Sequence, residues 1–545
     1  MPYRMGAHSL AKAFRREGVD CIFTLCGGHI MPIYEACLDE GIRIIDVRHE
    51  QAAAFAADAW GRMKRRPGVA VVTAGPGITN TVTAVANAFK AGTPLVVIGG
   101  QAPLLRLGKG DLQELDALSI LRPITCWAAR AWTANRLAEM THTAFHEAMS
   151  RRGPIFLEVP MDVLLEPAGE ESPQMRPGPM QLHGEPSKVK EAAQLLATAE
   201  RPVLMGGSDL WWSGAEESLM RFLEVLPLPV YLNAMGRGML PPDHPCFFAL
   251  SRGWALREAD VVLLIGTPMD FRLNFGRAFG EKAKIVQVDR NPGNIGQNRE
   301  VTIGIWSDAR PFLELVAEEI AAIPHRRSSR FWVEAVRQIE QQRRQERIPL
   351  EESEAIPIHP LRLARELADV CSENTIFVGD GGDVVSIAAT IIHPYRPGHW
   401  LDPGPMGTLG MGVPFALASK LAYPEKEVIA LFGDGAIGFS IMEYDTAVRH
   451  GIPFIGIVGN NGQWAQIRYG QVSMFGEERA VATKLRVARY EQVVEALGGY
   501  GEYIEDPREI RPALERARAS GKPALLNVRL DETYYSDATK RLYKL

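Results

Sequence analysis

Cysteine is scarce in this sequence. Its 545 residues include six, Cys21, Cys26, Cys37, Cys126, Cys246 and Cys371, and no two form a CxxC pair. That spacing excludes a disulfide framework, argues against a structural zinc site and fits a reducing compartment. Long hydrophobic runs are also missing. Stretches such as Val69–Ala74 and Pro94–Gly99 are strand-length, far below the ~18 residues a membrane span needs. Charge of one sign is not in large excess: Lys+Arg 60 against Asp+Glu 65 leaves a net charge of −5, which excludes nucleic-acid binding through bulk charge. There is no short-period repeat, and Met1–Ala11 has neither an apolar core nor a cleavage pattern, so no secretory leader is expected. What is present, 46% apolar and 23% charged residues, is ordinary globular composition. A cytoplasmic protein without nucleic-acid or membrane partners is the expectation.

At about 150 residues per domain the length suggests three or four domains. Residues 1–165 alternate helical and short apolar patterns: helix His8–Glu17, strand Cys21–Leu25, helix Met31–Glu40, strand Ile42–Val47, helix Gln51–Arg62, strand Gly68–Thr73. β-Branched strands separated by helices predict an α/β fold with a doubly wound parallel sheet. The Pro/Gly-rich segment Glu166–Pro186 reads as a linker. A second α/β unit covers 187–322, with strands at Pro202–Met205, Val230–Leu232, Val261–Ile265 and Lys284–Val288. The charge-dense run Arg326–Glu354, wholly polar over Glu340–Arg347, reads as a solvated helix face marking a boundary. A third unit, 356–530, repeats the architecture of the first, with strands at Ile376–Val378, Glu427–Phe432, Phe454–Val458 and Ala524–Val528; 531–545 is a tail and a candidate lid.

The strongest local signal lies in the third unit. The strand Glu427–Phe432 runs into Gly433-Asp434-Gly435, a helical stretch Ser440–His450 follows, and the next strand Phe454–Val458 runs into Asn460-Asn461. A carboxylate and an amide then sit at the C-terminal ends of two parallel strands, where open α/β sheets bind ligands. Gly433, Gly435 and Ala436 let backbone N–H groups approach a phosphate at a helix N-terminus. Oxygen donors from Asp434 and Asn461 suit Mg²⁺, which shares its octahedron with phosphate oxygens.

This pair resembles the diphosphate–metal motif of thiamine diphosphate enzymes, and the resemblance spans the chain. It implies a pyrimidine-binding first domain, a central Rossmann-like domain and a diphosphate-binding third domain, with the Gln463 backbone carbonyl as a further metal ligand. In Arg48-His49-Glu50-Gln51, Glu50 resembles the family's catalytic glutamate, which hydrogen-bonds the pyrimidine and favours its imino tautomer. Thr73-Ala74-Gly75-Pro76-Gly77-Ile78-Thr79-Asn80 is similar to the loop lining the pyrimidine, giving Pro76 and Asn80 as cofactor contacts. Gly404–Gly412 is similar to the segment that props the cofactor into a bent form, with Leu409 as the prop and Gly407 beside it. Gly381-Gly382-Asp383 resembles a further stretch of diphosphate contacts, giving Gly382 and Asp383.

Within the family, Phe23–Ile30, Val72–Ala84, Leu112–Pro123, Gly266–Gly276, Trp400–Gly412 and Gly433–Gln466 resemble 2-hydroxyacyl-CoA lyases of the acetolactate-synthase-like group. His29 and Gln113 resemble the active-site histidine and glutamine of benzaldehyde lyase, although the second histidine of that enzyme aligns with Pro403. Two features depart from acetolactate synthase: Asp270-Phe271-Arg272-Leu273-Asn274 where an arginine-aspartate-arginine pattern lies near its FAD, and Gly462-Gln463-Trp464 after Asn461. The implied reaction cleaves a 2-hydroxyacyl-CoA to an aldehyde and formyl-CoA, or runs in reverse. Acetolactate synthesis from pyruvate, carboligation of free aldehydes and a non-catalytic regulatory homologue are the competing readings. Gly28, Trp464 and the basic tail residues Lys540, Arg541 and Lys544 are candidate substrate contacts, the last three for CoA phosphates. Gly206-Gly207-Ser208, Trp211-Trp212 and Asp289 form a candidate ADP site in the central domain, with FAD or an empty site as alternatives. The resemblance also implies a homodimer or homotetramer with shared active sites.

Overall fold

The computed structural model of the chain describes residues 5–169, 178, 180–324 and 329–543. It divides into two compact units, one of Met1–Met180, Val378–Val385 and Asp402–Leu545, the other of Gln181–Phe377 and Ser386–Leu401. The first sheet has six strands: β1 (Cys21–Thr24), β2 (Arg43–Asp46), β3 (Gly68–Val72), β4 (Leu95–Gln101), β5 (Trp127–Arg130) and β6 (Pro154–Pro160). Their order is β2-β1-β3-β4-β6-β5, all parallel. The central sheet is five-stranded and parallel, β7 (Pro202–Gly206), β8 (Val230–Leu232), β9 (Val261–Ile265), β10 (Lys284–Asp289) and β11 (Ile303–Trp306), in the order β11-β10-β9-β7-β8. The last sheet contains β12 (Thr375–Asp380), β13 (Trp400–Leu401), β14 (Glu427–Gly433), β15 (Ile455–Asn460), β16 (Tyr500–Ile504) and β17 (Ala524–Arg529), in the order β13-β12-β14-β15-β17-β16. Strand for strand, this is the order of the first sheet. Continuous burial of β3 and β4 explains the apolar runs Val69–Ala74 and Pro94–Gly99.

The helix Glu50–Lys64 begins at the candidate glutamate of the first sheet and is buried on nearly every side. Its alanines permit that closeness: a Cβ on Gly68 would fall 1.9 Å from the Ala57 carbonyl oxygen. On its far side Phe55 meets Phe415 edge-on at 6.2 Å, which packs the helix against Gly412–Ala422 of the third domain. Its buried charges, Asp58 and Arg62, pair with each other at 2.8 and 2.9 Å. Arg62 also donates to the Asp402 carbonyl at 2.8 Å, anchoring the root of the 402–412 loop. A fully hydrogen-bonded pair of this kind avoids leaving a lone buried charge.

Several local expectations change. The helix expected over Ser440–His450 starts at Glu443, and a separate single turn, Asp434–Ile437, carries the Gly-Asp-Gly sequence. The run Arg326–Glu354 is not simply a solvated face: it forms the helix Arg330–Glu351. There the Glu340 carboxylate accepts from the backbone N–H groups of Ala249, Leu250 and Ser251, and Arg343 donates to the Leu250 carbonyl at 2.6 Å. Within the linker, residues 170–177 and 179 lie outside the described residues, as does Lys544 of the tail.

Candidate functional site

Two clusters of named residues gather at strand ends. At the first sheet, β1 leads into the short turn Gly28–Ile30, β2 into Glu50, and β3 into Thr73. Glu50 is buried and its Oε2 accepts from Asn80 Nδ2 at 2.9 Å. His29 is also buried, with Nδ1 3.2 Å from Thr73 Oγ1. Thr73 is the hub. A Cβ on Gly27 would lie 2.3 Å from its Cβ, and one on Gly77 would lie 2.8 Å from its Cγ2 and 3.7 Å from Glu50 Oε1. Gly75, at φ +57°, faces the Gln113 carbonyl oxygen, which would be 2.7 Å from an added Cβ. Gln113 itself is held at φ +60°, a backbone region that non-glycine residues seldom adopt. Its neighbour Glu114 accepts from the N–H groups of Gly108, Gly110 and Asp111 and so fixes the loop that carries it. His29, Glu50, Asn80 and Gln113 are therefore joined through the Thr73–Asn80 loop, with Pro76 exposed on it and Gly28 in open space.

At the third sheet the donors are mostly backbone. Asp434 is buried; Oδ1 accepts from Gly435 N–H at 2.9 Å and Oδ2 from Gln463 N–H at 3.1 Å. Burial outweighs these bonds and pushes its carboxyl up to about 6. The Gly381 and Gly433 backbones adjoin, an added Cβ on Gly381 falling 3.0 Å from Gly433 N. The Trp464 ring lies over Gly435, 2.3 Å from where a Cβ would sit, and meets Phe439 edge-on at 6.4 Å. Of the two asparagines, Asn460 is committed to packing, with Nδ2 donating to Asn527 Oδ1 at 3.0 Å and to the Ala488 carbonyl at 3.1 Å. Asn461, half-buried at the strand end, has no side-chain hydrogen-bond partner among the described residues. Gln463 spends its side chain on the Glu532 carbonyl, at 2.8 Å.

Two carboxylates that the motif reading did not single out organise this neighbourhood. Asp380, at the end of β12, is wholly buried and accepts from Gly410 and Gly412 N–H groups at 3.0 and 2.8 Å, holding the turn that follows Leu409. Burial raises its carboxyl to about 7. The other, Glu443, binds backbone of the first domain. A signal for Asp380 existed in the sequence, an acid at a strand end immediately before Gly381-Gly382. Asp383, expected as a diphosphate contact, has its carboxylate engaged within the protein. Its carboxylate accepts from Ser536 N–H and Oγ and from Thr539 Oγ1, so it anchors the tail helix Asp537–Leu542. On that helix the Lys540 ammonium lies 5.5 Å from the Tyr534 ring centroid, and Arg541 is exposed.

In the central unit a Cβ on Gly207 would fall 2.2 Å from the Gly266 carbonyl oxygen, so loop packing requires that glycine. Asp289 accepts from Asn291 N–H and Asn294 Nδ2 at 2.8 and 3.1 Å, within its own loop. Trp211 packs against Gly398. These contacts account for Gly207, Asp289 and Trp211 without a nucleotide, and no step is assigned to ADP or FAD.

Comparison with known proteins agrees with the two-cluster geometry. The N-terminal TPP binding domain of the thiamine pyrophosphate enzymes matches residues 4–120, their central domain 189–316 and their C-terminal TPP binding domain 380–528. The chain belongs to the thiamine pyrophosphate enzyme family. It is 43% identical over 533 residues to a probable acetolactate synthase of Mycobacterium bovis, covering 96% of this chain and 95% of that one. It is 37% identical over 585 residues to 2-hydroxyacyl-CoA lyase 2 of Caenorhabditis elegans (98% and 91%), and 35% over 588 residues to that of Homo sapiens (98% and 92%). As a thiamine-pyrophosphate-dependent enzyme it must hold a diphosphate and an aminopyrimidine, and its residues fit both. Thr408 Oγ1, next to Leu409, is buried without a partner, and the space around Gly407 and Gly433 is open to within 4 Å and 3.9 Å respectively. No group of three or more His, Cys, Asp or Glu capable of holding a metal occurs among the described residues. A cation at Asp434 would thus have one carboxylate, with amide, carbonyl and phosphate oxygens completing its shell, a hard-oxygen set suited to Mg²⁺. No helix among the described residues is long and apolar enough to cross a membrane.

Proposed function

We propose that this thiamine pyrophosphate enzyme is a carbon–carbon lyase of the 2-hydroxyacyl-CoA type, cleaving its substrate to an aldehyde and formyl-CoA or running the reverse condensation. The observation that carries the reading is the cluster of buried His29 with Thr73, Glu50 and Asn80. With Glu50 as the glutamate that meets the cofactor, His29 would be a second proton-handling group at the ends of the same sheet. When bound, thiamine diphosphate supplies the electron sink for the breaking C1–C2 bond. Glu50 would hold the pyrimidine nitrogen, Asp434 and Asn461 would hold Mg²⁺ beside the diphosphate, and Leu409 would support the cofactor. In the cleavage direction the 2-hydroxyl loses its proton as C2 becomes the aldehyde carbon. His29 would take that proton and return it to C1 as formyl-CoA is released, with Thr73 on Nδ1 leaving Nε2 for the substrate and Gln113 assisting. Departures from acetolactate synthase at Asp270–Asn274 and Gly462-Gln463-Trp464 also favour the lyase.

Because Glu50 and Asp434 belong to different domains, we assign each complete site to two copies of the chain, in a dimer or tetramer. The exposed Phe439, Met442 and Ile467 beside the Asp434 cluster fit such an interface. Free cysteines fit a cytoplasmic location. The deciding experiment incubates protein, cofactor and Mg²⁺ separately with a 2-hydroxyacyl-CoA and with pyruvate. Formyl-CoA and aldehyde from the first, with little acetolactate from the second, is the expected result. Acetolactate alone would make the chain a synthase, the reading that the 43% identical relative favours. In the lyase assay His29→Ala should lose roughly 100-fold in turnover.

A further inference from the structure

Glu443 begins the helix Glu443–His450, on the segment that follows the Asp434 turn, yet its carboxylate serves the first domain. It is 2% exposed, and both of its oxygens accept from Arg48 N–H, at 3.0 and 3.1 Å. The His49 N–H also favours its ionised form, and Thr446 Oγ1 donates to Oε2 at 2.6 Å. Arg48 and His49 immediately precede Glu50, and His49 is the N-cap of its helix. His49 Nδ1 in turn accepts from Gln51 N–H at 3.1 Å. The backbone on either side of Glu50 is thus pinned, while among the described residues the Glu50 side chain bonds Asn80 alone, at 2.9 Å.

We propose that Glu443 is the positioning residue for Glu50, acting through the Arg48 and His49 amides and tying the glutamate of the first domain to the segment that carries Asp434. The proposal rests on Glu50 meeting the cofactor and is independent of which substrate is cleaved. Other links along this edge are weaker. Arg48 reaches Asp445 at 3.5 Å, while Asp46 pairs with Arg449 at 2.5 Å and with His450 at 2.9 Å, all at partly exposed sites where ion pairs contribute little. Glu443, by contrast, is itself buried and spends both oxygens on the Arg48 N–H, and a shift of about 1 Å in a catalytic group costs on the order of 100-fold in rate.

The test has two readouts. In the full-length protein without cofactor, hydrogen exchange of the Arg48 and His49 amides should accelerate at least about tenfold in Glu443→Ala and stay at the wild-type rate in Asp445→Ala. With cofactor and Mg²⁺, Glu443→Ala should lower kcat roughly 100-fold with cofactor affinity within about threefold, and should add less than about threefold to the loss in Glu50→Ala. Glu443→Gln, which retains one acceptor oxygen, should fall between, at about a tenfold loss, and covers the case in which the alanine variant does not fold. Wild-type kcat in a folded Glu443 variant, or a loss that multiplies fully with that of Glu50→Ala, would overturn the proposal. Wild-type turnover in Glu50→Ala alone would instead overturn the role of Glu50, and this proposal with it.

Discussion

The first and third sheets have the same strand order, and each ends in a buried carboxylate, yet different kinds of group line their strand ends. At the first sheet the groups are side chains, with Glu50 bonded to Asn80 and His29 to Thr73. At the third they are mainly backbone: Asp434 is held by the N–H groups of Gly435 and Gln463, among glycines that keep the strand ends bare. A proton must be held at one atom by a group of the right basicity, which takes a side chain. A diphosphate spreads its charge over many oxygens, and bare backbone can crowd round it. One topology thus supports two chemistries because what differs is the residues at the ends of its strands.

That contrast can be broken by mutation. The largest effects should separate by parameter. Asp434→Ala should abolish Mg²⁺-dependent cofactor binding in calorimetry, whereas Glu50→Gln should keep cofactor affinity within about tenfold and lose roughly 10²–10⁴-fold in kcat. If both variants lost the same parameter, the division between the two strand ends would fail. Next are the glycines. A Cβ at Gly68 meets the Ala57 carbonyl oxygen at 1.9 Å, so Gly68→Ala should cost about 3 kcal/mol and lower the melting midpoint by several degrees. At Gly433 the nearest atom is 3.9 Å away, so Gly433→Ala should leave the midpoint of the cofactor-free protein unchanged and weaken cofactor binding alone.

A smaller effect concerns pH. Asp380 titrates near 7 when folded against 3.8 as its ordinary value, so the folded state binds its proton more tightly. Its contribution to stability is therefore present below about 4 and is lost as pH rises towards 7. Asp380→Asn keeps an acceptor oxygen for Gly410 and Gly412 but cannot ionise. The melting temperature of the variant should gain on wild type between pH 5 and pH 8, and a constant difference would contradict the burial argument. Smallest is the tail. Deleting Ala538–Leu545 should raise KM for a CoA substrate about threefold if Lys540 and Arg541 meet its phosphates, more at low ionic strength than at high.

Much of the architecture was legible because parallel strands buried on both faces write themselves as short apolar runs, and β8 and β9 fall on the residues that pattern marks. The Gly-Asp-Gly and Asn-Asn spacing likewise placed Asp434 and Asn461 at neighbouring strand ends. Roles that depend on distant partners were not legible. Nothing near Asp383 in the sequence shows that Ser536 and Thr539 bond its carboxylate, and Glu340 reads as solvated until three backbone N–H groups converge on it. Glu443 has no motif that could reveal Arg48, because 395 residues separate the two.

Local pattern in the chain was enough for strands, the glycine turns and the acids at strand ends, since hydrophobic period and backbone freedom act over a few residues. Which of those acids holds a helix, a turn or a reacting group was decided only by folding. A carboxylate takes its role from the donors and the burial around it, and both come from segments far away in sequence.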